Sequence, residues 1–95
     1  MEAINGKNAL ITGAGKGLGK VIAIALAQEG VNVGLVGRTE KDLVNLAEEL
    51  KAYNIKTAIA IADISEMEAV NVAVTKIKGE LGVIDILVNN AGVGA

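Results

Sequence analysis

The sequence predicts an α/β fold, a doubly wound parallel sheet in the order βαβαβαβ. Short apolar runs lie at residues 9–12, 31–36, 57–61 and 84–88, and the segments between them repeat apolar residues at helical spacing. Strands that alternate with helices pair in parallel, because parallel neighbours need a crossover and a helix supplies it. Ligands to such sheets sit at the carboxyl ends of the strands, where every glycine- or asparagine-rich loop of this chain falls.

Each element has its own signal. The first strand, residues 9–12, is a continuous apolar run ended by glycines, the pattern of a strand buried on both faces. A helix over residues 20–29 follows, with Val21, Ile22, Ala25 and Leu26 at helical spacing and Gly30 as its stop. Residues 31–36 form the second strand. Thr39 and Asp42 then read as a capping box, opening a helix that carries Leu43, Leu46, Ala47 and Leu50 on one face. The third strand spans 57–61. Ser65 and Glu68 make a second capping box, and the helix after it buries Val70, Ala73, Val74, Ile77 and Leu81 before stopping at Gly82. The fourth strand, 84–88, runs into Asn89-Asn90-Ala91-Gly92.

Composition narrows the chemistry. Ninety-five residues make a single domain, too short for separate cofactor and substrate domains. Hydrophobic residues are 52%, yet Tyr53 is the only aromatic, so the core is aliphatic. With no Cys and no His, disulfide scaffolds, the usual zinc sites, thiol nucleophiles and His-based triads are excluded. The net charge is -2 and no segment gathers the basic residues into a stripe, which argues against a nucleic-acid partner. Mean hydropathy is +0.48, but apolar runs such as residues 21–27 are far shorter than the roughly 18 residues of a membrane span. Residues 1–7 lack a cationic segment followed by an apolar one, so the expected location is cytoplasmic.

The segment Gly13-Ala14-Gly15-Lys16-Gly17-Leu18-Gly19 joins the first strand to the first helix. There backbone amides and the positive end of the helix dipole can hold a pyrophosphate. Gly13 suits a tight turn, Gly17 a close backbone approach to phosphate, and Gly19 close packing of helix on strand. The alternative is a plain glycine-rich turn. A Walker A loop is excluded, because Val21 after Gly19-Lys20 has no hydroxyl for Mg²⁺ and position 14 is Ala. The G-x-G-x-x-G spacing also fails, since Leu18 stands where its third glycine belongs.

The spacing is T-G-x-x-x-G-x-G, from Thr12 to Gly19. With Asp63-Ile64 after the third strand and Asn89-Asn90-Ala91-Gly92 after the fourth, the chain resembles the short-chain dehydrogenase/reductase family. The resemblance implies a Rossmann-type sheet and a dinucleotide-binding part over residues 1–95, with the substrate and catalytic half absent. Such a part covers about the first two-fifths of a typical member. It implies that Gly13 to Leu18 cradle the pyrophosphate, that Asp63 binds the adenine amino group, and that Ile64 lines the adenine pocket. Asn90, Ala91 and Gly92 would pass beneath the nicotinamide ribose. The plainer readings are Asp63 as a residue opening a helix, and Asn89 and Asn90 as side chains that bond loop backbone and tie strands together.

Charge at the end of the second strand bears on the cofactor. An Asp or Glu there would bond the ribose 2′-OH of NAD and repel a 2′-phosphate. The stretch reads Val36-Gly37-Arg38-Thr39, with no carboxylate, and Arg38 supplies a guanidinium suited to phosphate. Lys16 can reach from the glycine loop as a second cation, so the expected cofactor is NADP(H). The alternative is a solvated Arg38 whose charge Glu40 partly offsets.

The family's catalytic Asn, Ser, Tyr and Lys would all lie beyond Ala95, so no catalytic residue is expected here. Tyr53 and Ser65 take plainer roles, packing at a helix end and capping. The motif set is most like that of 3-oxoacyl-(acyl-carrier-protein) reductases, which would imply an acyl-carrier-protein-linked substrate. Reductases of sugars, diketones or secondary alcohols remain compatible, and the family implies a homo-oligomer. A second reading makes the chain a nucleotide-binding module that binds without turnover. Its fourth strand would then form an exposed sheet edge, predicting association or marginal stability.

Overall fold

The computed structural model describes residues 2–90. After a 3-10 turn at Glu2–Ile4 come β1 (Asn8–Thr12), α1 (Gly17–Gln28), β2 (Asn32–Gly37) and α2 (Glu40–Leu50). A second 3-10 turn, Lys51–Tyr53, leads to β3 (Thr57–Ile61), α3 (Met67–Leu81) and β4 (Ile86–Asn89). The strands form one parallel sheet in the order β3-β2-β1-β4. The order βαβαβαβ and the α/β class expected from the apolar runs are therefore observed. The chain steps outward from β1 to β3, then returns to the other side of β1. The carboxyl ends of β1 and β4 therefore flank the point where strand order reverses, the usual ligand crevice of such sheets.

Alternation along the strands builds three layers. Ala9, Ile11, Val33 and Leu35 point to one face and pack with Ala23 and Ala27 of α1 and with Leu43, Leu46 and Leu50 of α2. Leu10, Val36, Ala58 and Ala60 point to the other face, against Ala73 and Ile77 of α3. Burying each of the three α2 leucines contributes about 1.5–3 kcal/mol. Ile77 lies directly against Gly34, so α3 approaches β2 where no side chain stands between them.

The structure corrects the reading of α1 in two ways. Its first turn begins at Gly17 rather than residue 20, and its sheet-facing side is Gly19, Ala23 and Ala27, while Val21 is 61% exposed. Small residues four apart let α1 lie close to β1; a search for large apolar side chains at helical spacing finds instead the flank of that face. Gly30 and Gly82 do close α1 and α3, at φ +81 and +100.

At the amino ends of the strands, Asn8 and Asn32 form a polar ladder. Asn8 Nδ2 donates to the carbonyls of Leu81 and Val83 at 3.0 and 2.8 Å, and its Oδ1 accepts from Asn32 Nδ2 at 3.0 Å. Asn32 Oδ1 accepts from the Lys56 N–H at 2.9 Å. On the outer side of β3, the Lys76 ammonium donates to the Ile59 carbonyl at 2.6 Å and to Glu80 at 2.9 Å.

Candidate functional site

The glycine loop crosses the carboxyl end of β1 into α1. Gly13 and Gly17 have φ of +63 and +55, left-handed conformations that cost a residue with a Cβ about 1–2 kcal/mol. Above Gly17 the space is open, because a Cβ there would meet nothing within 4 Å. Gly19 is the opposite case: a Cβ would run into the Gly13 carbonyl oxygen and come within 2.8 Å of Asn90 Nδ2. Ala14 is fully buried and its N–H donates to the Val36 carbonyl at 3.1 Å, so that amide is spent inside the protein. The amides at the start of α1, from Gly17 through Gly19, are the ones such a helix leaves open to an anion. The Leu18 side chain is exposed.

Beside this loop a cleft of about 190 Å³ is lined by Gly13, Gly15, Lys16, Gly37, Arg38, Thr39, Asp42 and Leu43. Pockets that hold a drug-sized ligand run to ~300–1,000 Å³, so this one suits one portion of an extended ligand. Lys16 and Arg38, the residues expected at the ribose, are brought together here beside Thr39. Arg38 forms no ion pair among the described residues. Lys16 Nζ lies 3.6 Å from Asp42 Oδ2.

Asp42 was expected to close a capping box with Thr39. Thr39 is the N-cap of α2, but no side-chain capping bond forms. Instead, Gly15 packs so tightly on Asp42 that a Cβ on Gly15 would come within 2.8 Å of the Asp42 Cβ, and the carboxylate lies beside Lys16. Sequence reading missed Asp42 as a cleft residue. Its position on the first turn of α2, just after Arg38, was the available signal.

Asp63 follows β3, with Ile64 half-exposed beside it. Asp63 Oδ1 accepts from the Ser65 N–H at 2.9 Å and the Ser65 hydroxyl at 2.8 Å; neither bond uses Oδ2. Ser65 is therefore bonded back to Asp63 rather than capping α3, whose N-cap position is Glu66 with no side-chain bond. A carboxylate two residues upstream competes successfully for the hydroxyl. The Ser65 backbone bond, then its hydroxyl bond, hold the Asp63 carboxyl below its usual range; the Arg38 charge acts the same way and desolvation opposes. A depressed carboxylate pKa stabilises the fold above the unfolded value, and that contribution is lost as pH falls through the folded one. Ser65→Ala is expected to move the Asp63 midpoint up toward the usual value, read by carbon NMR of its carboxyl. An unmoved midpoint would mean that the hydroxyl bond does not form in solution.

At the strand-order reversal, Asn90 donates its N–H to Thr12 Oγ1 at 3.0 Å and its Nδ2 to the Gly13 carbonyl at 3.3 Å. Thr12 Oγ1 also donates to Asn89 Oδ1 at 3.2 Å. The asparagines thus tie the end of β4 to the start of the glycine loop, the plainer of the two roles read for them. Ala91 and Gly92 lie outside the described residues. Tyr53 sits in the turn after α2, whose antiparallel run against the strands carries it to the end of the sheet away from the cleft. It is 36% exposed there. Among the described residues no group of three His, Cys, Asp or Glu could hold a metal, and no helix is long and apolar enough to cross a membrane.

A family model described as short chain dehydrogenase matches residues 7–95. Gluconate 5-dehydrogenase of Gluconobacter oxydans is 37% identical over 91 residues, covering 96% of this chain and 36% of that protein. The 3-oxoacyl-(acyl-carrier-protein) reductase of Staphylococcus epidermidis is 36% identical over 88 residues, covering 92% and 36%. Among solved structures, L-sorbose reductase from Gluconobacter frateurii, complexed with NADPH and L-sorbose, superposes with a TM-score of 0.92 at 36% identity. That match covers 100% of this chain and 37% of the other. The chain thus spans about a third of the length of the relatives it matches.

Proposed function

Because the chain belongs to the short chain dehydrogenase family, we propose that it binds NADP(H) for an oxidoreductase that reduces a carbonyl by hydride transfer. The observation that carries this reading is the cleft at the end of β2, where Arg38 and Lys16 meet and no carboxylate occupies the strand end itself. The cofactor supplies the hydride. The residues of this chain bind and orient it. The open amides from Gly17 through Gly19 take the pyrophosphate, with Gly17 leaving room above the loop. Arg38 takes the ribose 2′-phosphate as a paired donor, with Lys16 as a second charge. Asp63 keeps Oδ2 outside the Ser65 bonds and offers it to the adenine amino group, beside Ile64. Asn90, Ala91 and Gly92 would pass beneath the nicotinamide ribose, with Asn90 also bonded to the Gly13 carbonyl.

The NADPH held by the L-sorbose reductase of Gluconobacter frateurii supports the phosphorylated cofactor. For the substrate, the motif set favours a 3-oxoacyl thioester, and the gluconate and sorbose enzymes favour a polyol or ketose. The test is titration of the full chain with NADPH and NADH, followed by NADPH oxidation with a 3-oxoacyl thioester, a ketose and a diketone. NADPH is expected to bind about tenfold or more tighter than NADH, the scale of one charged hydrogen-bonded pair. Equal binding would remove the 2′-phosphate assignment, and no binding would remove the dinucleotide reading.

A further inference from the structure

We propose that Asp42 sets the preference between phosphorylated and unphosphorylated ribose, by holding Lys16 in the cleft and by opposing the 2′-phosphate; this rests on the dinucleotide reading above. Asp42 faces the cleft that Arg38 lines, and its carboxylate is released from the capping bond to Thr39. The two members of the Lys16–Asp42 pair are unequal. The Asp42 side chain is 27% exposed and its root is fixed against Gly15, whereas the Lys16 side chain is 81% exposed. Asp42 is therefore the fixed partner and Lys16 the one free to swing.

A phosphate monoester entering the cleft brings a charge of about -1.5 to -2 at neutral pH. It meets two cations, Arg38 and Lys16, and one anion, Asp42. To bind, it must draw Lys16 away from Asp42 and accept the repulsion that remains. A ribose hydroxyl carries no charge, so Asp42 does not repel it. The pair thus weakens the response to phosphate selectively, and Arg38 alone does not decide the ratio.

The test uses the two adenosine fragments, 2′,5′-ADP and ADP, titrated into the full chain, so that no turnover is required. Asp42→Asn preserves shape on Gly15 and removes the charge. It is expected to tighten 2′,5′-ADP about two- to fivefold, the range of exposed ion pairs, with ADP unchanged. The gain should shrink as salt is raised, and should fall to the part due to direct repulsion when Lys16→Met is combined with it. Should Asp42→Asn melt early, Asp42→Ser, which keeps the Cβ on Gly15, is read against the same expectations. An unchanged 2′,5′-ADP affinity, or an equal change for both fragments, would overturn the proposal while leaving the dinucleotide reading intact. Failure of the unsubstituted chain to bind 2′,5′-ADP, ADP and NADPH alike would overturn both.

Discussion

Gly19→Ala is expected to abolish dinucleotide binding and to lower folding stability by about 2 kcal/mol or more. The added methyl would collide with the Gly13 carbonyl and press on Asn90 Nδ2. The first of these is backbone, and it belongs to the loop proposed to cradle the pyrophosphate, so it cannot rotate aside. Overpacking of this kind costs about 1–3 kcal/mol. Relief requires α1 to move off β1, which drags the amides of Gly17 through Gly19 away from any bound phosphate. Gly79→Ala is the control, since a Cβ there meets nothing within 4 Å in a regular helix; it should stabilise by about 1 kcal/mol. Denaturant unfolding and an NADPH titration of both variants check this. Gly19→Ala with full stability and affinity would mean that the helix does not pack as closely as described.

Arg38→Ala is expected to weaken NADPH about 10- to 100-fold, with NADH changed far less. A hydrogen bond to a charged group contributes about 1.5–3 kcal/mol, and truncation removes a bidentate one. Lys16 does not replace it, because a single ammonium cannot reproduce the paired donors of a guanidinium. Calorimetric titration with the two dinucleotides reads the ratio. Equal weakening of both would show that Arg38 contacts a part that they share, not the 2′-phosphate.

How far sequence reading succeeds here depends on the range of the interaction involved. The strands were legible because each is a short apolar run, although only β1 and β2 are buried on both faces while β3 and β4 are partly exposed. The glycine spacing located the loop, and the missing carboxylate at residue 37–38 pointed to Arg38. Both capping boxes failed for the same reason: the pattern considers only four consecutive residues. Asp42 is claimed by Lys16 from another loop, and Ser65 by Asp63 just outside the box. The sheet-facing side of α1 was misread because Gly19, Ala23 and Ala27 carry little hydrophobicity, although their smallness is what brings helix and strand together. The Asn8–Asn32 ladder had no local signal, since its partners stand 24 to 75 positions apart.

The Lys76 bond to Ile59 makes the sheet's two margins chemically different. Lys56 and Ala62 turn their backbone toward β2, so the intervening Ile59 carbonyl points outward, where the ammonium plugs it. A strand approaching β3 would have to displace a charged donor from its acceptor. Past β4 no such plug stands among the described residues, and Leu87 offers an apolar surface that is 67% exposed. Enlargement of this sheet is therefore polarised. A strand added beside β3 would have to break that charged bond, whereas one added beside β4, next to the crevice where β1 and β4 part, would meet none among the described residues.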